Sequence, residues 1–193
     1  MAAVTTSPLI KRYTLEEFWE LPEPDDGSKM ELIDGVLYMT PPPDDEHNWT
    51  INELHQVFVL HLHELGVKAE IYTPRTGIWT SARTWLEPDL FVILPNMRAE
   101  IGPGRPTSAD LVVEVLSPST ASYDRRTKSD TYAYLGVREL WLIDEDQKTI
   151  EVRFQSRQGD NRRFGPGQVF RVGERVYSQV FPGLKLHPEQ ILR

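Results

Sequence analysis

The chain has no cysteine, which excludes disulfides, thiolate zinc sites and cysteine nucleophiles. No apolar run approaches the roughly 20 residues needed to span a bilayer. The opening residues, MAAVTTSPLIKRY, lack the apolar core of a secretory signal. These absences lead to the expectation of a cytoplasmic protein. Positive charge is scarce as well: 21 Lys and Arg stand against 29 Asp and Glu, a formal net charge of -8. Non-specific binding along a nucleic-acid backbone needs clustered Lys and Arg, so the balance argues against it. It does not exclude a nuclease, because a divalent-metal site needs local negative charge and a small basic patch can coexist with an acidic remainder. Several catalytic signatures are also missing: there is no Walker loop, G-x-G-x-x-G, H-E-x-x-H or G-x-S-x-G. The stretch Gly102-Pro-Gly-Arg-Pro106 is too proline-rich to open a phosphate-cradling helix.

What is present reads as one globular domain over residues 1–193, with 39% hydrophobic and 26% charged residues. Residues 1–12 form a loose arm, 13–155 the core, and 156–193 a tail of C-terminal strands with a short helix. Thr14-Leu-Glu-Glu17 is a capping-box pattern that opens a short helix bearing Leu15, Phe18 and Trp19. Residues 29–40 read as a hairpin turning at Asp34-Gly35. Ile51, Leu54, Val57, Phe58, Leu62 and Leu65 recur at helical spacing and predict a helix over 48–65, with Gly66 at its C-terminal cap. Short strands are expected at 70–73, 77–80, 89–94 and 110–116, with a loop over 95–109. A second helix is expected over 122–135, stopped by Gly136, and strands at 139–144 and 149–154 follow. This mixed order implies an α/β fold, a mixed β-sheet flanked by helices.

The strand Leu111-Val-Val-Glu114-Val-Leu116 carries the chemistry. Glu114 either faces water on an edge strand, or lies in the core and needs a cation or proton to offset a desolvation cost of several kcal/mol. Asp89 opens another apolar strand after Pro88. An Asp there is often a turn former, but adjacent strands would bring it to Glu114. Two like charges a few ångströms apart repel, and a divalent ion removes that penalty. All-oxygen ligands favour Mg²⁺ or Mn²⁺ over zinc. Glu31 begins a strand and either reaches the same site or is solvated beside Asp34. On the helix after Glu114, Lys128 either forms a surface ion pair with Asp124 or points back at the carboxylates. In the second case it could orient a water or stabilise charge developing on a phosphate. Tyr132, one turn on, could support it, and Arg125 and Arg126 could grip phosphate. His61 and His63, two apart on a helix, face apart. His47, just before the long helix, could enter the site or belong to the cap region.

Together these residues resemble the Uma-two family of endonucleases within the PD-(D/E)XK superfamily. The likeness rests on Glu31-Leu-Ile-Asp-Gly35, the Pro-Pro-Pro-Asp-Asp-Glu-His string ending at His47, and Glu87-Pro-Asp89. It continues through Asp110-Leu-Val-Val-Glu-Val-Leu-Ser-Pro-Ser-Thr120, Tyr123-Asp-Arg-Arg-Thr-Lys128, Tyr132 and the Gly136 to Asp144 segment. It implies a restriction-endonuclease-like core and Mg²⁺- or Mn²⁺-dependent hydrolysis of DNA, with a homodimer as the expected assembly. Asp89, Glu114 and the Val115 carbonyl would hold the metal, and Glu31 would be the acid from the N-terminal side. One departure matters: Leu116 stands where the superfamily pattern asks for lysine two residues after the acid. The resemblance implies that Lys128 takes that place in space.

Overall fold

The computed structural model describes residues 10–80, 83–158 and 161–193. Most of the expected loose arm, up to residue 9, lies outside them. Thr14 caps helix α1 (Leu15–Trp19) with the reciprocal Glu17 bond that its sequence predicts. Strands β1 (Lys29–Ile33) and β2 (Val36–Thr40) form a two-stranded antiparallel hairpin. Asp34 and Gly35 both take positive φ at its turn, a geometry that Asn, Asp and Gly tolerate best.

Helix α2 (Asp45–Glu64) starts three residues earlier than its apolar spacing predicts. Asp44 is the cap, and its carboxylate accepts the His47 amide at 2.9 Å. The cap sets the boundary here, and the three added residues are polar, so periodicity could not see them.

The main sheet has seven strands, including β3 (Glu70–Tyr72), β4 (Leu90–Ile93), β5 (Leu111–Leu116) and β6 (Glu139–Asp144). Then come β7 (Thr149–Gln158), β8 (Asn161–Phe164) and β9 (Gln168–Arg171). The order is β3-β4-β5-β6-β7-β8, with β9 also paired to β7. Only β5 and β6 run parallel, joined by the helical crossover that parallel neighbours require. The sheet is thus mixed, mostly antiparallel and flanked by helices.

Alternation of side chains divides the sheet into two buried faces. Leu90, Val92, Leu111, Val113, Val115, Trp141 and Ile143 pack against Ile51, Leu54, Phe58 and Leu62 of α2. Phe181, Leu184, Leu186 and Ile191 of the tail close that face. Each such side chain contributes about 1.5–3 kcal/mol by leaving water. Phe91, Ile93, Val112, Leu116, Leu140 and Leu142 face the other way, toward Tyr132 and Leu135.

Those two residues sit on the crossover, in which α4 (Ala121–Tyr123), a π-helical turn (Asp124–Lys128) and α5 (Ser129–Leu135) run on continuously. Gly136 ends it in the left-handed conformation.

Two expectations fail. The expected 95–109 loop contains helix α3 (Pro95–Ile101), with Pro95 in its first turn and Gly102 after its end. Pro is pre-set for a first helical position and Gly for the exit, and Met97 buries the inner face. The predicted strand at 77–80 is reduced to a single bridge, Ile78 to Leu86.

Candidate active site

The register of β4 and β5 brings the two acids together. Leu90 pairs with Val113, Phe91 with Val112 and Val92 with Leu111. Continuing that antiparallel ladder by one step sets Asp89 opposite Glu114. Alternation turns both toward the face covered by the crossover helix. Residues directly opposite each other in such a ladder have β-carbons about 5 Å apart. Both are buried, Asp89 at 4% and Glu114 at 2% exposure. The core reading of Glu114 thus prevails over an edge strand facing water.

The crossover helix supplies the counter-charge. Asp124, Lys128 and Tyr132, four residues apart, all turn inward. Lys128 Nζ lies 2.7 Å from Glu114 Oε1, 3.1 Å from Glu31 Oε1 and 3.7 Å from Asp124 Oδ1. The Tyr132 hydroxyl donates to Glu114 Oε1 at 2.5 Å. Lys128 therefore points back at the carboxylates, and its pair with Asp124 is buried rather than superficial. The π turn lies in this segment, and such turns often mark functional sites.

Glu31 reaches the cluster from β1, accepting the Glu87 amide at 2.9 Å and the Tyr123 hydroxyl at 3.1 Å. Tyr123 also stacks on Tyr38 of β2, which ties the hairpin to the helix.

Asp89 is held differently. Its Oδ2 accepts the Val115 amide at 2.9 Å. Its Oδ1 faces two nitrogens, Lys29 Nζ at 2.7 Å and His47 Nε2 at 3.2 Å. His47 Nε2 is buried, and this close approach to Asp89 is its one polar contact among the described residues. Lys29 was missed in reading the sequence. A signal existed: it lies two residues before Glu31 on one strand, so the two share a face. Arg125 is engaged by Glu151 and, at 3.6 Å, by Asp144. Arg126 is exposed on the same turn.

These surroundings separate the two acids electrostatically. Burial pushes Asp89 up, but the His47 ring and the Lys29 ammonium more than offset it and hold the carboxyl well below its usual range. Glu114 moves the opposite way. Burial raises it strongly, the charges of Asp89, Asp124 and Glu31 add to that, and Lys128 opposes. For Lys128 itself, burial would favour the neutral amine, yet Glu114 and Glu31 keep it protonated well above its ordinary value.

Asp89, Glu114, Val115, Lys29, Lys128 and His47 border a cleft of about 350 Å³. Among the described residues, no three His, Asp or Glu side chains are grouped as a ready-made metal cage. The donor set fits an ion of the Mg²⁺ type, which is bound through one or two carboxylates and keeps several waters. The His47 imidazole, whose Nε2 lies 3.2 Å from Asp89 Oδ1, adds a nitrogen donor at the same place.

The family model described as "Uma2: Putative restriction endonuclease" matches residues 15–189. The fold is similar to a solved structure described as "a putative nuclease belonging to DUF820 from Anabaena variabilis ATCC 29413". Identity is 21%, the TM-score is 0.71, and the match covers 93% of this chain and 97% of that one. At that identity the likeness concerns the fold. Among curated proteins there is no match.

Proposed function

Because the chain belongs to the Uma2 family, we propose that it is a divalent-metal-dependent endonuclease that hydrolyses DNA phosphodiester bonds. The observation that carries the reading is that Asp89, one step beyond the β4–β5 ladder, and Glu114 both line the cleft. Charge supports it. Four buried acids, Glu31, Asp89, Glu114 and Asp124, face two lysines, Lys29 and Lys128, which leaves the cluster two positive charges short of neutrality when all are ionised. One divalent cation supplies that difference.

Asp89, Glu114 and the Val115 carbonyl would hold the ion. When bound, Mg²⁺ or Mn²⁺ lowers the pKa of a coordinated water and neutralises charge on a phosphate. The protein's part is orientation. The Val115 amide fixes Asp89 so that Oδ1 is presented to the cleft. Tyr132 and Lys128 hold Glu114 in place. Lys128 supplies fixed positive charge against the negative charge that builds on the phosphate, the role that Leu116 cannot fill. Glu31 keeps Lys128 on that side of the sheet. Arg126, exposed two residues before Lys128, would meet a neighbouring phosphate from outside the cleft lining, whereas Arg125 secures the π turn against the sheet through Glu151. Cutting both strands calls for two copies, and a twofold dimer is the commonest arrangement.

Incubating purified protein with plasmid and Mg²⁺ or Mn²⁺ tests this. Cleavage is expected, reduced about 100-fold or more in Glu114→Gln, a loss of the size that follows removal of an electrostatic stabiliser of the transition state. Cleavage undiminished in that variant would overturn the assignment.

A second reading, a nuclease fold that holds nucleic acid or a protein without cutting, draws on two observations. Leu116 stands in the lysine position, and the cleft mouth carries Asp44, Glu46, Glu145 and Asp146, which repel a polyanion. Plasmid retention without cleavage in either metal would favour it.

A further inference from the structure

The two lysines of the cluster are not equivalent. Lys128 touches three carboxylates and its side chain is 5% exposed, so it cannot leave without stranding all three. Lys29 pairs with Asp89 Oδ1 across 60 positions of sequence, borders the open cleft and is 12% exposed. It opens β1 at the outer end of a two-stranded hairpin, so it can shift without breaking the central ladder. The oxygen it occupies is the one that the Val115 amide leaves open on Asp89.

From these contacts we infer that Lys29 is the exchangeable counter-cation of the site, a positioning residue that neutralises Asp89 Oδ1 until a divalent ion replaces it. This rests on the metal reading above. Lys29 keeps two facing acids compatible in the metal-free protein. It also sets the metal affinity, because an entering ion must displace an ammonium before it reaches Asp89. A residue that served only to tie the hairpin to β4 would act in the opposite sense. Its loss would loosen Asp89 and weaken metal binding.

The test is calorimetric titration of the full chain with Mn²⁺, comparing the wild type with Lys29→Met and Lys29→Arg. Removing the competing charge is expected to tighten Mn²⁺ binding about tenfold or more in Lys29→Met, with Lys29→Arg close to wild type. Equal or weaker binding by a folded Lys29→Met protein would overturn the inference alone. Absence of Mn²⁺ binding by the wild type would overturn the metal reading, and this inference with it. A second measurement needs no variant. Amine-reactive labelling of the wild type, read by mass spectrometry, is expected to rise several-fold at Lys29 when Mg²⁺ saturates the protein and to stay unchanged at Lys128. Labelling of Lys29 that ignores a metal shown to bind would sink the idea even if the variant failed to fold.

Discussion

Glu114 stands in a strand whose other side chains are all apolar, and its burial is tolerated because Lys128 and Tyr132 both reach it. Replacing Tyr132 with Phe leaves one carboxylate oxygen with a lost donor. The cost is expected to be about 1–3 kcal/mol, read as a lower urea midpoint at unchanged slope. Lys128→Met is the harsher change. It leaves Glu114, Glu31 and Asp124 facing one another without a cation, and breaking such a buried network costs roughly 3–5 kcal/mol. A loss below about 1 kcal/mol would mean that Lys128 is not the principal counter-charge. At this scale much of the site was legible. An acid inside an apolar strand and a lysine on the next helix announce themselves by being out of place. Lys29 did not, because a lysine at the end of a hairpin strand is unremarkable until its partner, Asp89, is known.

At the scale of elements, boundaries were decided by caps and turns more than by apolar spacing. Asp44 lengthens α2, and Pro95 with Gly102 delimits a helix where Pro and Gly suggested a loop. Gly77 has a role that composition hides: a β-carbon there would lie 2.5 Å from the Trp85 ring. Gly77→Ala is therefore expected to cost about 1–3 kcal/mol by overpacking, seen as a lower melting temperature. The edge strand β3 is tied to α3 through Glu70 and Arg98. The Arg98 guanidinium, aided by Tyr72 and opposed by slight burial, lowers the Glu70 carboxyl from its ordinary 4.5. A carboxyl lowered on folding stabilises above its unfolded value and loses that contribution as pH falls through the folded one. Because Glu70 is partly exposed, the gain over Glu70→Gln is expected to be about 1 kcal/mol or less at neutral pH. The gap should close well below pH 4.5, and urea unfolding at both conditions checks it.

For the molecule as a whole, the charge deficit at the cleft couples metal binding to stability. An ion that binds the folded chain at about 100 times its dissociation constant adds about 2.7 kcal/mol. In a chain of this size that raises the melting temperature by roughly 5–11 °C. Mn²⁺ is expected to produce such a rise in the wild type and little in Glu114→Gln, as calorimetric scans would reveal. Light scattering tests the proposed dimer, since a mass equal to the 22.3 kDa of one chain would exclude it. What the sequence determined by itself was local: which stretches alternate as strands, which repeat as helices, and which charged residues sit in apolar company. Those properties follow from backbone geometry over a few residues. Only the tertiary structure decided that Asp89 lies opposite Glu114, one ladder step beyond the Leu90–Val113 pair, that β1 delivers both Glu31 and Lys29, and that His47 ends beside Asp89. Such meetings depend on strand register and on packing across the whole chain, which no short window of residues encodes.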